Sequence, residues 1–211
     1  FRRLASALAS GAIGRLEHVR ATLQVPLRQL DAGDFGHWMF RAPANIVLEQ
    51  ATHPLSQIHA LVGRLRSMER VLLEQRELAP GQVFCERWVM AGRGERGSVE
   101  LHLAFGRPFT RSAIEALGSD GALEADLSHD LLWREAKTQA LDFWNSFLAG
   151  FGRGCALQRD ALRVLLAWCA QTLGFWPRRD AFLMGMRESI RAFHVAYRTG
   201  ATYAGSHENA I

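Results

Sequence analysis

Apolar and polar positions along this chain follow two rhythms, and the change between them organises the sequence. Between residues 16 and 127 most segments repeat every second residue. Leu16, Val19, Leu23 and Val25 stand among polar neighbours and Pro26 ends the run, which predicts a strand over 16–25. A second strand is predicted over 67–78, with Val71 and Leu73 on one face and Met68 and Leu72 on the other. Segments 84–91 and 98–105 predict a hairpin around Gly92-Arg93-Gly94-Glu95-Arg96-Gly97, and 112–117 pairs with 122–127 around Gly118-Ser119-Asp120-Gly121. Short turns between consecutive strands imply antiparallel neighbours and a sheet with one face open for helices or for a second subunit.

The other rhythm is helical. Residues 1–9 place Leu4 and Leu8 on one side. Over 45–62, Val47, Ala51, Leu55, Ile58 and Val62 share a face, while Glu49, His53, Ser56, Gln57 and Ala60 lie nearly opposite. Asn45 is placed to cap this helix, Gly63 to end it, and Pro54 to bend or restart it, since proline has no N–H for the Gln50 carbonyl. Residues 31–44 read as a loop in which Trp38 and Phe40 anchor the backbone on the core. From Leu131 the period is helical again: 135–149 ending at Gly150-Phe151-Gly152-Arg153-Gly154, 158–173 ending at Gly174, and 180–199 capped by Asp180. Trp133, Phe143, Trp144, Phe147, Trp168, Phe175 and Trp176 predict an aromatic core for this block, with a lid over a sugar as the alternative. The fold class is therefore α+β: an open, mainly antiparallel sheet with helices on one face, plus a helical C-terminal segment.

Composition narrows the function. At 211 residues and 48% apolar content the chain can bury a core, and no apolar run is long enough for a membrane span. Cys85, Cys155 and Cys169 lie in apolar segments, which predicts three buried thiols in a reducing, cytoplasmic setting and no zinc framework. A pI near 9.5 invites nucleic acid, but Lys137 is the only lysine and the arginines are dispersed among 21 acidic residues, so no nucleic-acid partner is expected. His18 and His102 fall in strands, His129 is read as opening a helix, and His194 lies on an apolar helical face. None has a companion at zinc-site spacing, so no metal is expected.

One pair carries candidate chemistry. Glu49 and His53 are four apart, close enough for a carboxylate to orient an imidazole, and an oriented imidazole performs acid–base work on a hydroxyl. The plain reading of such a pair is a solvated surface contact. Trp38 and Arg41 are placed to line the mouth of a pocket.

An acidic residue, a histidine four later, a short apolar helix ending in Gly63 and an alternating strand resemble the substrate domain of the glucose–fructose oxidoreductase / inositol dehydrogenase (Gfo/Idh/MocA) family. Ser10-Gly11-Ala12-Ile13-Gly14-Arg15-Leu16 is similar to the turn and strand after that family's nucleotide domain. Glu115-Ala116-Leu117-Gly118-Ser119-Asp120-Gly121-Ala122-Leu123-Glu124 is similar to its late hairpin. The resemblance covers about residues 1–127. It implies that 1–15 ends a linker helix from an absent nucleotide-binding domain, 16–130 forms the sheet of the substrate domain, and 131–211 is a helical extension. It implies an NAD- or NADP-dependent oxidoreductase, with the cofactor held mainly by the absent domain and the fragment alone inactive. The substrate would be a sugar, polyol or sugar derivative, with His53 and Glu49 catalytic and Asn45, Gln57, Trp38 and Arg41 around the substrate. A homo-oligomer through the open sheet face is implied as well. The sequence departs from the family in having Ala44-Asn45 for the usual Gly-Gly, Ala51 for the glycine before the histidine, and Ser56 or Gln57 for the acidic residue after it. A non-catalytic, sugar- or dinucleotide-sensing relative is the alternative.

Overall fold

A computed structural model describes residues 1–136 and 142–176, together with Ile190, His194, Val195, Arg198 and Thr199. Contacts divide the chain into two units, Phe1–Ala161 and Leu162–Ile211. The helix predicted over 180–199 lies outside the described residues apart from those five positions.

The first unit is built on a seven-stranded sheet in the order β2-β3-β4-β1-β5-β6-β7. Its members are β1 (Leu16–Val25), β2 (Leu65–Ala79), β3 (Gln82–Gly94), β4 (Gly97–Phe105), β5 (Arg111–Gly118), β6 (Gly121–Asp126) and β7 (Leu131–Ala136). The α+β class holds, and the first strand has the predicted bounds. β1 is central. It runs antiparallel to β5 and parallel to β4, with His18 opposite Ser98 and Val25 opposite Phe105. This one parallel pairing arises because helices and the β2–β3 hairpin intervene between β1 and β4.

Period-two alternation sends one set of side chains inward. Val19 and Ala21, Val99, Leu101, Leu103 and Phe105, Ile114 and Ala116, and Leu123 and Ala125 are buried. Over them lie α1 (Arg2–Ala9) through Leu4, α3 (Asn45–Gln50) through Ile46, and α4 (Thr52–Val62) through Ile58, Leu61 and Val62. Each such side chain contributes about 1.5–3 kcal/mol by leaving water. A single turn, α2 (Arg28–Asp31), follows β1.

The opposite face is polar. Arg20 reaches Glu100 with Nε at 2.9 Å and Glu115 with Nη1 at 3.1 Å, while His102 Nε2 lies 3.2 Å from Glu100. Arg20 holds the Glu100 carboxyl below its ordinary value, against the opposing effect of burial, and His102 adds to the lowering. Edge strand β2 is guarded by Glu69, Arg70, Arg76 and Glu77 on its exposed positions.

Several sequence expectations are corrected. Residues 131–136 form a strand and not the start of a helix. The Asp126 carboxylate accepts from the Ser128 and His129 amides, Asp130 takes φ +53°, and Leu131 pairs back on Asp126. His129 therefore sits in a turn, with Nδ1 2.8 Å from Asp126 Oδ2. The glycines at 150–154 break nothing: α5 runs unbroken over Asp142–Thr172. None of the three adopts positive φ, so each costs helix propensity without ending the helix. The predicted stop at Gly174 holds, with φ +79° and the Phe175 amide bonded to the Ala170 carbonyl. The aromatic block is not a core, since Phe143, Trp144, Phe147, Trp168, Phe175 and Trp176 are all at least half exposed. Of the cysteines only Cys85 is buried, its thiol pushed up by burial and bonded to the Arg87 carbonyl, and Cys155 is exposed.

One buried charge ties the first unit together. Asp160 of α5 is 1% exposed. Its carboxylate accepts two bonds from Arg3 Nη2, at 3.0 and 2.8 Å, and one from the Leu132 amide at 3.1 Å. Burial alone would raise its pKa, but these donors together with Arg159 hold it below the ordinary carboxylate range. Removing Arg3 takes two bonds from that buried charge, so Arg3→Met is expected to lower unfolding free energy by about 2 kcal/mol in urea titrations at pH 7. A lowered folded-state pKa gives stability that is present above the unfolded value of 3.8 and lost as pH falls through the folded value. Asp160→Asn should therefore flatten the acid limb of the stability curve.

Candidate functional site

The residues singled out for chemistry lie on one run of backbone, from a 3-10 turn at Trp38–Phe40 through α3 into the first turns of α4. The loop that starts this run is stitched to the core. Phe40 is buried, edge-on to Phe84 at 5.4 Å and to Phe35 at 6.0 Å between centroids. Gln82 Nε2 donates to the carbonyls of Phe35 at 3.1 Å and Phe40 at 3.0 Å, fixing the loop to the start of β3. His37 closes the 3-10 turn by accepting from the Met39 amide at 3.4 Å. Neither Gln82 nor His37 falls in a helical or alternating pattern, so no local signal in the residues points to them.

With Phe40 and Met39 holding the loop, Trp38 is released. Its side chain is 39% exposed, not sunk in the core as expected. Asn45 has a different task from the predicted one. The cap position is Ala44, and Asn45 Nδ2 donates to the Trp38 carbonyl at 2.8 Å, joining α3 to the 3-10 turn. Arg41 is exposed and makes no ion pair among the described residues. Trp38, Asn45 and Arg41 are thus brought together by backbone and amide bonding.

Pro54 acts as predicted. It stands buried in the first turn of α4, where its missing N–H would have had no partner in that turn, and it separates α3 from α4 at Ala51. Ala51 keeps φ −82° and ψ −12°, and its carbonyl accepts from the Leu55 amide at 2.9 Å, so the break is slight. Glu49 ends up in the last turn of α3 and His53 in the first turn of α4. Both side chains are exposed, and no hydrogen bond joins them among the described residues. Ser56 Oγ donates to the His53 carbonyl at 2.7 Å, which commits that hydroxyl locally and leaves half-buried Gln57 as the free amide on the same helix.

The far end of α4 is set by Gly63 at φ +78°, whose amide bonds to the His59 carbonyl at 2.9 Å. L side chains rarely adopt that φ, so glycine is the residue that ends the helix cleanly at this hairpin. The Gly92–Gly97 segment is the end of β3, a tight turn and the start of β4, with Gly94 opposite Gly97, and not a phosphate cradle.

A cavity of about 320 Å³ opens between β7 and α5, lined by Trp133, Arg134, Glu135, Leu148, Gly150 and Arg153 among others. None of the candidate residues lines it. The Trp133 ring is already covered by the Arg153 guanidinium, 4.4 Å from its centroid. Among the described residues no group of three or more His, Cys, Asp or Glu side chains is arranged to hold a metal, and no helix is long and apolar enough to cross a membrane.

No protein-family model matches the chain, and no curated protein does. Solved structures do. A levoglucosan dehydrogenase in complex with NADH matches at 21% identity and TM-score 0.54, over 65% of this chain and 40% of that one. The levoglucosan dehydrogenase complex with NADH and levoglucosan matches at 18% and 0.52, over 65% and 40%. An inositol dehydrogenase homolog complexed with NAD+ from Azotobacter vinelandii matches at 15% and 0.51, over 66% and 39%. At these identities the likeness shows a shared fold, and this chain spans about two fifths of the structures it matches.

Asn45→Ala removes the amide that holds the Trp38 carbonyl. It is expected to cost about 1 kcal/mol of stability in urea titrations and to increase proteolytic cutting within residues 31–44.

Proposed function

We propose that this chain is the substrate-binding part of an NAD(P)-dependent oxidoreductase of the Gfo/Idh/MocA type, acting on a sugar, polyol or sugar derivative. The observation that carries the reading is the placement of His53: an exposed imidazole with no side-chain partner among the described residues, at a slight helix break, on a fold shared with NADH-bound dehydrogenases. An imidazole without an internal partner is free to engage a substrate hydroxyl.

The described residues do not fit a dinucleotide, since the Gly-rich segment is a hairpin turn, so NAD or NADP is assigned mainly to a domain outside this chain. When bound, that cofactor supplies or accepts the hydride. The part of His53 is the proton: it takes the hydroxyl proton as the carbon–oxygen bond becomes a carbonyl, and returns it in the reverse direction. Glu49 orients the imidazole, a contact that closes across Ala51 when substrate is present, as catalytic hydrogen bonds tighten from the free enzyme. Trp38 offers an apolar face to a sugar ring, Arg41 a cation, and Asn45 and Gln57 amides for hydroxyls. The polar open face carrying Arg20, Glu100 and Glu115 serves a second subunit in the same reading.

A second reading, a sugar- or dinucleotide-sensing relative without catalysis, draws on the unbonded Glu49–His53 pair and on Gln57 in place of an acid. Turnover separates the two. In the full-length protein, cofactor reduction at 340 nm with a panel of polyols and sugars is expected to fall at least about 10²-fold in kcat for His53→Ala. Unchanged turnover would remove His53 from the mechanism, and no turnover with any carbohydrate would favour the sensor.

A further inference from the structure

Helix α5 carries a row of rings that its own unit leaves largely uncovered, beside the cavity against β7 that Leu148 and Gly150 help to line. Phe143, Trp144, Phe147, Leu148 and Phe151 are each between 52% and 74% exposed. They are nevertheless ordered: Phe143 meets Trp144 edge-on at 5.7 Å, Trp144 meets Phe147 at 6.0 Å, and Phe147 stacks on Phe151 at 6.0 Å. Such an array of wet rings marks an interaction site, because monomers seldom expose apolar patches of this size.

Beside the row Phe143, Phe147, Phe151 runs a row of small residues, Ser146, Gly150, Gly154. At 100° per residue the two rows are adjacent on one side of the helix. No atom lies within 4 Å of where a Cβ would stand at Gly150 or Gly154, so packing within this chain does not require glycine there. Glycine is the poorest helix former after proline, yet the helix keeps three between 150 and 154. What it provides is a shallow groove beside a ridge of rings, into which another backbone fits closely.

The two rows share a four-residue step, which makes the surface complementary to itself. A single two-fold axis between antiparallel copies of α5 sets Phe143 against the partner's Gly154, Phe147 against the partner's Gly150, and Phe151 against the partner's Ser146. All three ridges meet grooves in one register. At about 200 Å² for an aromatic side chain, the exposed parts of Phe143, Trp144, Phe147 and Phe151 present about 500 Å² per copy. Two copies would then bury about 1,000 Å² together, the size a specific interface reaches when its surfaces are complementary. We infer that α5 forms an isologous antiparallel contact with a second copy of this chain, through Phe143, Phe147 and Phe151 on one copy and Ser146, Gly150 and Gly154 on the other. A lipid surface would accept the rings but has no use for the groove. The contact is independent of the functional reading above and separate from the open sheet face.

Gly150→Leu tests it. The variant adds a better helix former where its own chain leaves open space, so the fold stays intact by circular dichroism, while the groove is filled. Sedimentation equilibrium of the full chain is expected to show a self-associating protein whose dissociation constant rises at least about tenfold in Gly150→Leu and in Phe147→Gln. A monomeric wild type, or association as tight in Gly150→Leu as in the wild type, would overturn the inference. So would a monomeric wild type that binds phosphatidylglycerol vesicles, which would assign the face to lipid.

Discussion

A carboxylate removed from water holds the first unit together. Asp160 is the one buried charged residue among those described, and its cost is met by donors that include the Arg3 guanidinium on α1, the Leu132 amide on β7 and neighbouring Arg159. Arg3 also donates to the Asp130 carbonyl at 3.2 Å, in the turn between β6 and β7. A charge in this position tolerates few alternative arrangements, because any register that displaces one donor leaves the carboxylate short of a partner. The last strand, the first helix and the middle of α5 are thereby fixed to one another, while the rest of the sheet combines apolar burial on one face with half-exposed ion pairs on the other.

Much of this was legible in the residues. Strands with one dry and one wet face announce themselves by alternation, and β1, β4, β5 and β6 follow it closely. Helices α1 and α4 showed their apolar stripes and, for α4, its terminating glycine. What stayed hidden depended on partners distant in sequence. β7 is an edge strand with half-wet positions, so Leu131, Leu132 and Glu135 matched a helical spacing equally well until the Asp126 turn set their direction. Aromatic spacing in α5 showed a helix correctly but said nothing about which side would be covered, and the rings turned out to face water.

The candidate site was readable in its types and less so in its wiring. Pro54 announced a break beside His53, and the break is there, though Ala51 keeps it shallow. The assignment of Asn45 failed because a helix-capping residue and a loop-tethering residue look alike in one dimension. Only the fold shows that Asn45 lies inside α3, one residue past the cap position, with its amide nitrogen donating to the Trp38 carbonyl. Gln82, which pins the loop from the start of β3, lies outside any local pattern, and long-range polar contacts of this kind leave no periodic trace.

The parallel pairing of β1 with β4 also sets an order of events. The middle strand of the sheet emerges before both of its neighbours: at one edge the strand ending at Phe105 and at the other the strand beginning at Arg111. Until both have emerged, Leu16–Val25 exposes two unsatisfied edges and an apolar face. Closure over so long a span raises the contact order of the sheet, the quantity that slows folding because loop entropy is lost before the strands meet.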